Sequence, residues 1–170
     1  DLHRRRHSFP TRRSSDLYKL PIAMAVLSTV DSEKFALDEQ IGFSAEDMVG
    51  PAQRSPIRDK FREGGSLTVA ELIRFAVSES DGTANDVLLR ILGGPAEVQI
   101  YLAAIGIRDL EVVSTEKELG SDRQAQYANF ATPNAAITLA LAPRLEDRTP
   151  HAARLLQQLR EVFSSEVHFV

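Results

Sequence analysis

A mainly α-helical fold is what this 170-residue sequence predicts, and three observations carry the prediction. Apolar residues recur three and four apart over long segments, the period of a helix with one face in a core. Cap and stop signals bracket those segments, with threonine or proline at the entrance and glycine at the exit. Strand signals are sparse: residues 39–45 (EQIGFSA) and 110–115 (LEVVST) are short and alternate poorly.

Taken in order, residues 1–16 come first. With Leu17 they carry five arginines against Asp1 and Asp16, and only Leu2, Phe9 and Leu17 as large apolar residues. Such a stretch shows no helical or strand period and adds little to a core. It is expected to be a disordered arm of foreign origin, similar to translated sequencing-adapter read-through. It lacks the apolar centre of a secretory signal, and no aromatic interleaving or recognition motif accompanies its charge, so no nucleic-acid partner is expected.

From Leu20 to Val30, the residues Leu20, Ile22, Ala23, Ala25, Val26 and Val30 outline a buried helix whose first turn contains Tyr18 to Pro21 and which ends near 31–34. The apolar run is too short to span a bilayer. Thr68 to Leu72 (TVAEL) is a capping box, in which Thr68 and Glu71 satisfy each other's backbone amides, and it opens a helix reaching Val77. A second helix is predicted from Thr83 to the stop at Gly93 and Gly94, and a third from Pro95 to Gly106. Thr132 and Thr149, each followed by proline, cap two more. Residues 111–131 hold no sustained stripe and read as an ordered surface loop containing a helical turn; loops of that length are often functional.

The composition bounds the chemistry. Apolar residues make up 43% and charged residues 26% of the chain, ordinary usage for one globular domain. The net charge of −4 combines a basic arm with an acidic body. The absence of cysteine excludes disulfides, thiolate metal sites and a cysteine nucleophile. His3, His7, His151 and His168 form no zinc spacing. No metal and no cofactor are predicted.

Singly, Lys19 is an ordinary lysine at a helix start, Ser80-Asp81-Gly82 a loop and cap, and Glu116 a solvated loop carboxylate. Their order alters the reading: lysine opening an apolar helix, Ser-Asp-Gly between two helices, then Glu-x-x-Leu in a long loop. Together with VAELIRFAVSESDGTANDVLL and STEKELGSDRQAQYANFATPNAA, this order resembles the class A serine β-lactamases over residues 17–160. The resemblance implies the helical domain of the β-lactamase/transpeptidase-like fold, with most of the antiparallel sheet domain missing, and leaves 161–170 as a tail of uncertain origin.

It further implies acyl transfer to a serine followed by hydrolysis of a β-lactam antibiotic, an antibiotic-resistance activity. Lys19 would be general base or electrostatic partner of the nucleophile, Ser80 a relay to the leaving lactam nitrogen, and Glu116 the activator of the deacylating water. Whether Glu116 or Lys19 starts acylation stays open. Glu116 favours a hydrolase over a penicillin-binding-protein relative, which lacks it. Gly82 stands where the family often has a substrate-contacting asparagine, and Gly120 where a side chain often helps to hold the water.

The departure that matters most is Asp16, which occupies the nucleophile position three residues before Lys19. A carboxylate suits a helix start, but it attacks an amide carbonyl poorly and has no proton for Lys19 to accept. Ser15 is four residues before Lys19, and one helical step turns a side chain by about 100°. No lysine is followed by Ser/Thr-Gly, so the family's Lys-Thr-Gly strand is absent. The chain is therefore expected to be inactive, and a non-catalytic helical binding protein is the alternative. The family also implies a monomer that is periplasmic or secreted, although no signal peptide is present in this sequence. The central spatial expectation is that the Lys19 ammonium, the Ser80 hydroxyl and the Glu116 carboxylate converge on one cavity beside the first helix.

Overall fold

Seven consecutive residues, Pro21 to Leu27, are buried in the helix Lys19–Asp31, here α1. That is more than one face of a helix can hide against a single neighbour, so α1 has to be surrounded. Three helices surround it: α3 (Val69–Ser78), α4 (Gly82–Leu92) and α5 (Pro95–Ala104). Ile22, Met24, Leu72, Ile73, Leu88 and Leu102 are almost wholly out of water at the centre of this packing. Each such side chain stabilises the fold by roughly 1.5–3 kcal/mol relative to exposure.

The computed structural model describes residues 17–121, 129–132, 135 and 139. The arm 1–16, the helix expected from Thr149, the tail 161–170 and all four histidines lie outside these residues.

Local signals fix the helix ends. At the start of α3, Thr68 Oγ1 accepts from the Glu71 amide (3.1 Å) and a Glu71 carboxylate oxygen accepts from the Thr68 amide (2.8 Å), as TVAEL predicts. α4 begins at Gly82, one residue before its expected start, because the cap is Asp81, whose Oδ1 accepts from the Ala84 amide (2.9 Å). It stops at Gly93, held at φ 103° in the left-handed region that glycine enters without a steric cost. α5 opens on Pro95 and is followed by Gly106.

The strands differ more from expectation. The run 39–45 contributes β1 (Gln40–Ser44), which pairs antiparallel with an unforeseen β2 (Gly64–Thr68), Ile41 facing Leu67 and Phe43 facing Gly65. β2 holds a single large apolar residue, so it is a strand because β1 supplies a partner rather than through its own propensity. Gly64, at φ 103°, lies so close to β1 that an added Cβ would stand 2.9 Å from the Ser44 Cα. A 3-10 turn (Ala45–Asp47) and the short α2 (Pro56–Lys60) connect the two strands.

The run 110–115 shrinks to β3 (Leu110–Glu111), paired antiparallel with β4 (Phe130–Ala131). Between them lies α6 (Glu116–Ser121), the helical turn expected within 111–131. Thr132 Oγ1 accepts from the Ala135 amide (3.1 Å), the cap geometry predicted there, and Ala135 and Leu139 are helical and buried. The fold is thus mainly α, with two small two-stranded sheets among the described residues. No single helix among them is long and apolar enough to cross a membrane.

Candidate active site

Lys19 is the first residue of α1 and Glu116 the first residue of α6, and both are about 95% buried. Ionised groups are held away from water only when paired and hydrogen-bonded. Their pairing is direct: Lys19 Nζ lies 3.1 Å from Glu116 Oε1 and donates to the Ser80 carbonyl at 2.9 Å. The structure therefore brings Lys19, Ser80 and Glu116 together at the start of α1, with Ser80 reaching the lysine through its backbone oxygen.

Ser80 is in the link between α3 and α4 with φ 54°, a left-handed conformation that costs a non-glycine residue about 1–2 kcal/mol. Its neighbour Asp81 anchors the link. Asp81 is fully buried, and its carboxylate accepts from the Ile57 amide (2.6 Å), the Ala84 amide (2.9 Å) and Ser55 Oγ (3.0 Å). Ser55 Oγ also lies 2.8 Å from Thr83 Oγ1, which accepts from the Val49 amide at 3.2 Å. Burial pushes the Asp81 carboxyl above its ordinary pKa, against the pull of these donors.

Glu116 is placed by its loop. The neck is closed by the β3–β4 pairing and by buried Asn129, whose Oδ1 accepts from the Val113 (2.8 Å) and Ser114 (2.9 Å) amides while its Nδ2 donates to the Ser114 carbonyl (2.9 Å). Thr115 and Glu118 form a reciprocal cap at the start of α6. The Asp86 carboxylate on α4 then grips both leading amides, Glu116 N at 2.7 Å and Lys117 N at 3.0 Å.

Burial pushes the Asp86 carboxyl up to about 7; the Glu116 and Lys117 amides pull it down, the Glu116 charge raises it, and the Lys117 charge lowers it. Because the folded state raises this pKa, the group's contribution to stability is complete below the unfolded value of roughly 4. It is lost as pH rises through about 7. Urea unfolding of the parent should show that decline, and Asp86→Asn should flatten it. An equally steep decline in the variant would assign the pH dependence to other groups.

Gly82 is buried at the first turn of α4, and an added Cβ would stand 3.3 Å from Val49 Cγ1 and 3.4 Å from the Glu116 Cβ and Cγ. The position expected to contact substrate therefore packs against the Glu116 side chain. Asp16 lies outside the described residues. Among those described, no cluster of three or more His, Asp or Glu side chains is arranged to hold a metal ion. An open cavity of about 740 Å³, lined by Val30, Asp31, Lys34, Phe35 and Leu37, lies at the other end of α1, about 18 Å from Lys19 at 1.5 Å per residue.

Asp86, Asn129 and the segment 49–55 escape sequence reasoning. A capping pattern, Thr115-x-x-Glu118, was the one available local signal that Glu116 starts a helix.

The fold and this buried Lys-Glu pair beside a Ser-Asp-Gly link define a class of protein, and comparison gives the same answer. The sequence profile of the beta-lactamase enzyme family matches residues 7–160, and the chain belongs to that family; its relatives are class A enzymes.

Among particular relatives, beta-lactamase VEB-1 of Pseudomonas aeruginosa is 37% identical over 123 residues, covering 72% of this chain and 41% of its own length. The extended-spectrum beta-lactamase PER-1 of the same organism is 32% identical over 127 residues, covering 72% and 40%. A crystal structure of a beta-lactamase from Chitinophaga pinensis superposes with a TM-score of 0.80 at 29% identity, covering 86% of this chain and 54% of that one. The chain thus spans about two fifths of the length of these curated relatives.

Proposed function

We propose that the activity associated with this sequence is β-lactam hydrolysis through an acyl-enzyme, with Lys19, Ser80 and Glu116 as catalytic residues. The observation that carries the reading is the 3.1 Å pairing of Lys19 Nζ with Glu116 Oε1 in a dry site. A lysine and a carboxylate so placed can exchange a proton directly, the requirement for one group to prepare the nucleophile and the other a water. In this assignment Lys19 takes a proton from a nucleophile one turn upstream, Ser80 passes one to the departing lactam nitrogen, and Glu116 activates the water that cleaves the ester. Gly82 and Gly120 offer a substrate no side-chain contact, so specificity rests on groups around them. Family membership supports a periplasmic or secreted location.

Asp16 at the nucleophile position supplies neither a strong nucleophile nor a transferable proton. The chain as it stands should therefore give no chromogenic cephalosporin turnover above buffer, and measurable hydrolysis would overturn this reading of Asp16. Asp16→Ser should acquire a penicillin-mass adduct at residue 16 on prolonged incubation, detected by intact-protein and peptide mass spectrometry. An adduct formed as readily by Asp16→Ser/Lys19→Arg, in which position 19 can take no proton, would overturn the assignment of Lys19 as its activator.

A further inference from the structure

Each polar handle of Glu116 is held from a different element. Its amide is held by Asp86 of α4 (2.7 Å) and its carboxylate by Lys19 of α1 (3.1 Å). Its carbonyl oxygen accepts from Gln53 Nε2, a residue 63 positions away with no part in the motifs above. The place Gln53 reaches is vacant for one reason: Gly120, one turn along α6, has no side chain. A Cβ built there would overlap both Gln53 carboxamide heteroatoms and stand 2.6 Å from Gln53 Cδ. A side chain at 120 and the Gln53 carboxamide cannot share that volume.

The backbone carrying Gln53 is anchored for the purpose. Its amide donates to the Gly50 carbonyl at 3.1 Å. Arg58 Nη1 gathers the carbonyls of Val49 (3.3 Å), Gly50 (2.6 Å) and Gln53 itself (3.0 Å). The next residue is tied to the serine link, since Arg54 Nε donates to the Glu79 carbonyl (2.6 Å) and the Arg54 carbonyl accepts from the Gly82 amide (2.9 Å). One short segment thus touches the Ser80 region with its backbone and the Glu116 helix with a side chain.

We propose that Gln53 is a positioning residue for Glu116: its carboxamide, seated where Gly120 leaves room, holds the first turn of α6 by the Glu116 carbonyl and so fixes the carboxylate against Lys19. Gln53 and Gly120 form a matched pair, and a change at either removes the same contact. The inference deepens the functional reading and rests on it for its catalytic meaning, although the geometry can be tested without turnover.

The test uses the full chain, isotope-labelled, with two readouts: hydrogen exchange of the α6 amides and the ¹H–¹⁵N signal of the Lys19 ammonium. Gln53→Ala should speed α6 exchange by about tenfold, the loss of one net hydrogen bond, and broaden or shift the Lys19 signal. Gly120→Ala should shift the Lys19 signal in the same way by expelling the carboxamide, even though alanine is the better helix former. The double variant should shift it no further than either single, since both remove one contact. Gln53→Glu keeps the shape but turns the donor into an acceptor facing the Glu116 carbonyl, and should shift the Lys19 signal at least as far as Gln53→Ala, which guards against a folding artefact. An unchanged Lys19 signal in Gln53→Ala and Gln53→Glu, or additive effects of Gln53→Ala and Gly120→Ala, would overturn the proposal. A negative cephalosporin assay would leave these readouts untouched, so the two readings fail separately.

Discussion

Asp81→Ala should unfold the domain or come close to it. The substitution leaves the Ile57 and Ala84 amides without their acceptor and the Ser55 hydroxyl with Thr83 Oγ1 alone to donate to, in a place where Asp81 is fully buried. An orphaned buried donor costs about 1–3 kcal/mol, and loss of a helix cap alone costs about 1. Allowing for non-additivity, the total is about 3–5 kcal/mol, a large share of the ~5–15 kcal/mol that holds a domain together. Far-UV circular dichroism through a urea titration would read it as a collapse of the unfolding midpoint. Asp81→Asn keeps one acceptor oxygen and should fall between the two. A midpoint for Asp81→Ala within experimental scatter of the parent would mean that water replaces the carboxylate, and the network would lose its structural meaning.

Lys19→Met is expected to be the next most damaging change. It strands the Glu116 carboxylate, about 4% exposed, without its cation. Breaking a buried pair on one side costs about 3–5 kcal/mol, whereas replacing both partners by apolar groups of similar volume is often neutral or better. Lys19→Met/Glu116→Leu should therefore recover much of the loss. Urea unfolding of the four species completes the cycle. If the double variant were as unstable as the sum of the singles, the damage would come from packing at the start of α1 rather than from the charge left behind.

Both predictions concern residues visible in the sequence, and the reason is locality. The helix ends follow from contacts three or four residues apart, such as Thr68 with Glu71, so a short window contains cause and effect. Lys19, Ser80 and Glu116 are legible through their order and flanks; the Glu116 carboxylate lies beside the lysine, and Ser80 meets it through the backbone carbonyl rather than the expected hydroxyl. What stays hidden is joined over long separations. Asp86 sits among TANDVLL like any helix acid, and nothing near it announces two amides 30 residues on. Gln53 is one polar letter in an irregular segment whose role depends on an absent side chain at 120. β2 has two glycines and a serine in five positions, and only pairing with β1 makes it a strand. Gly82 likewise gives no local sign of its surroundings, and the structure seats it against Val49 and Glu116.

The left-handed backbone at Ser80 carries a further consequence. Glycine would relax that conformation, and asparagine would tolerate it better than serine. A library randomised at position 80 and sorted only for soluble, well-folded protein would therefore enrich residues that lack the hydroxyl. If the Ser80 hydroxyl has the proposed relay role, selection for foldedness and selection for chemistry pull in opposite directions at this one residue, and a consensus drawn from the first would erase the second.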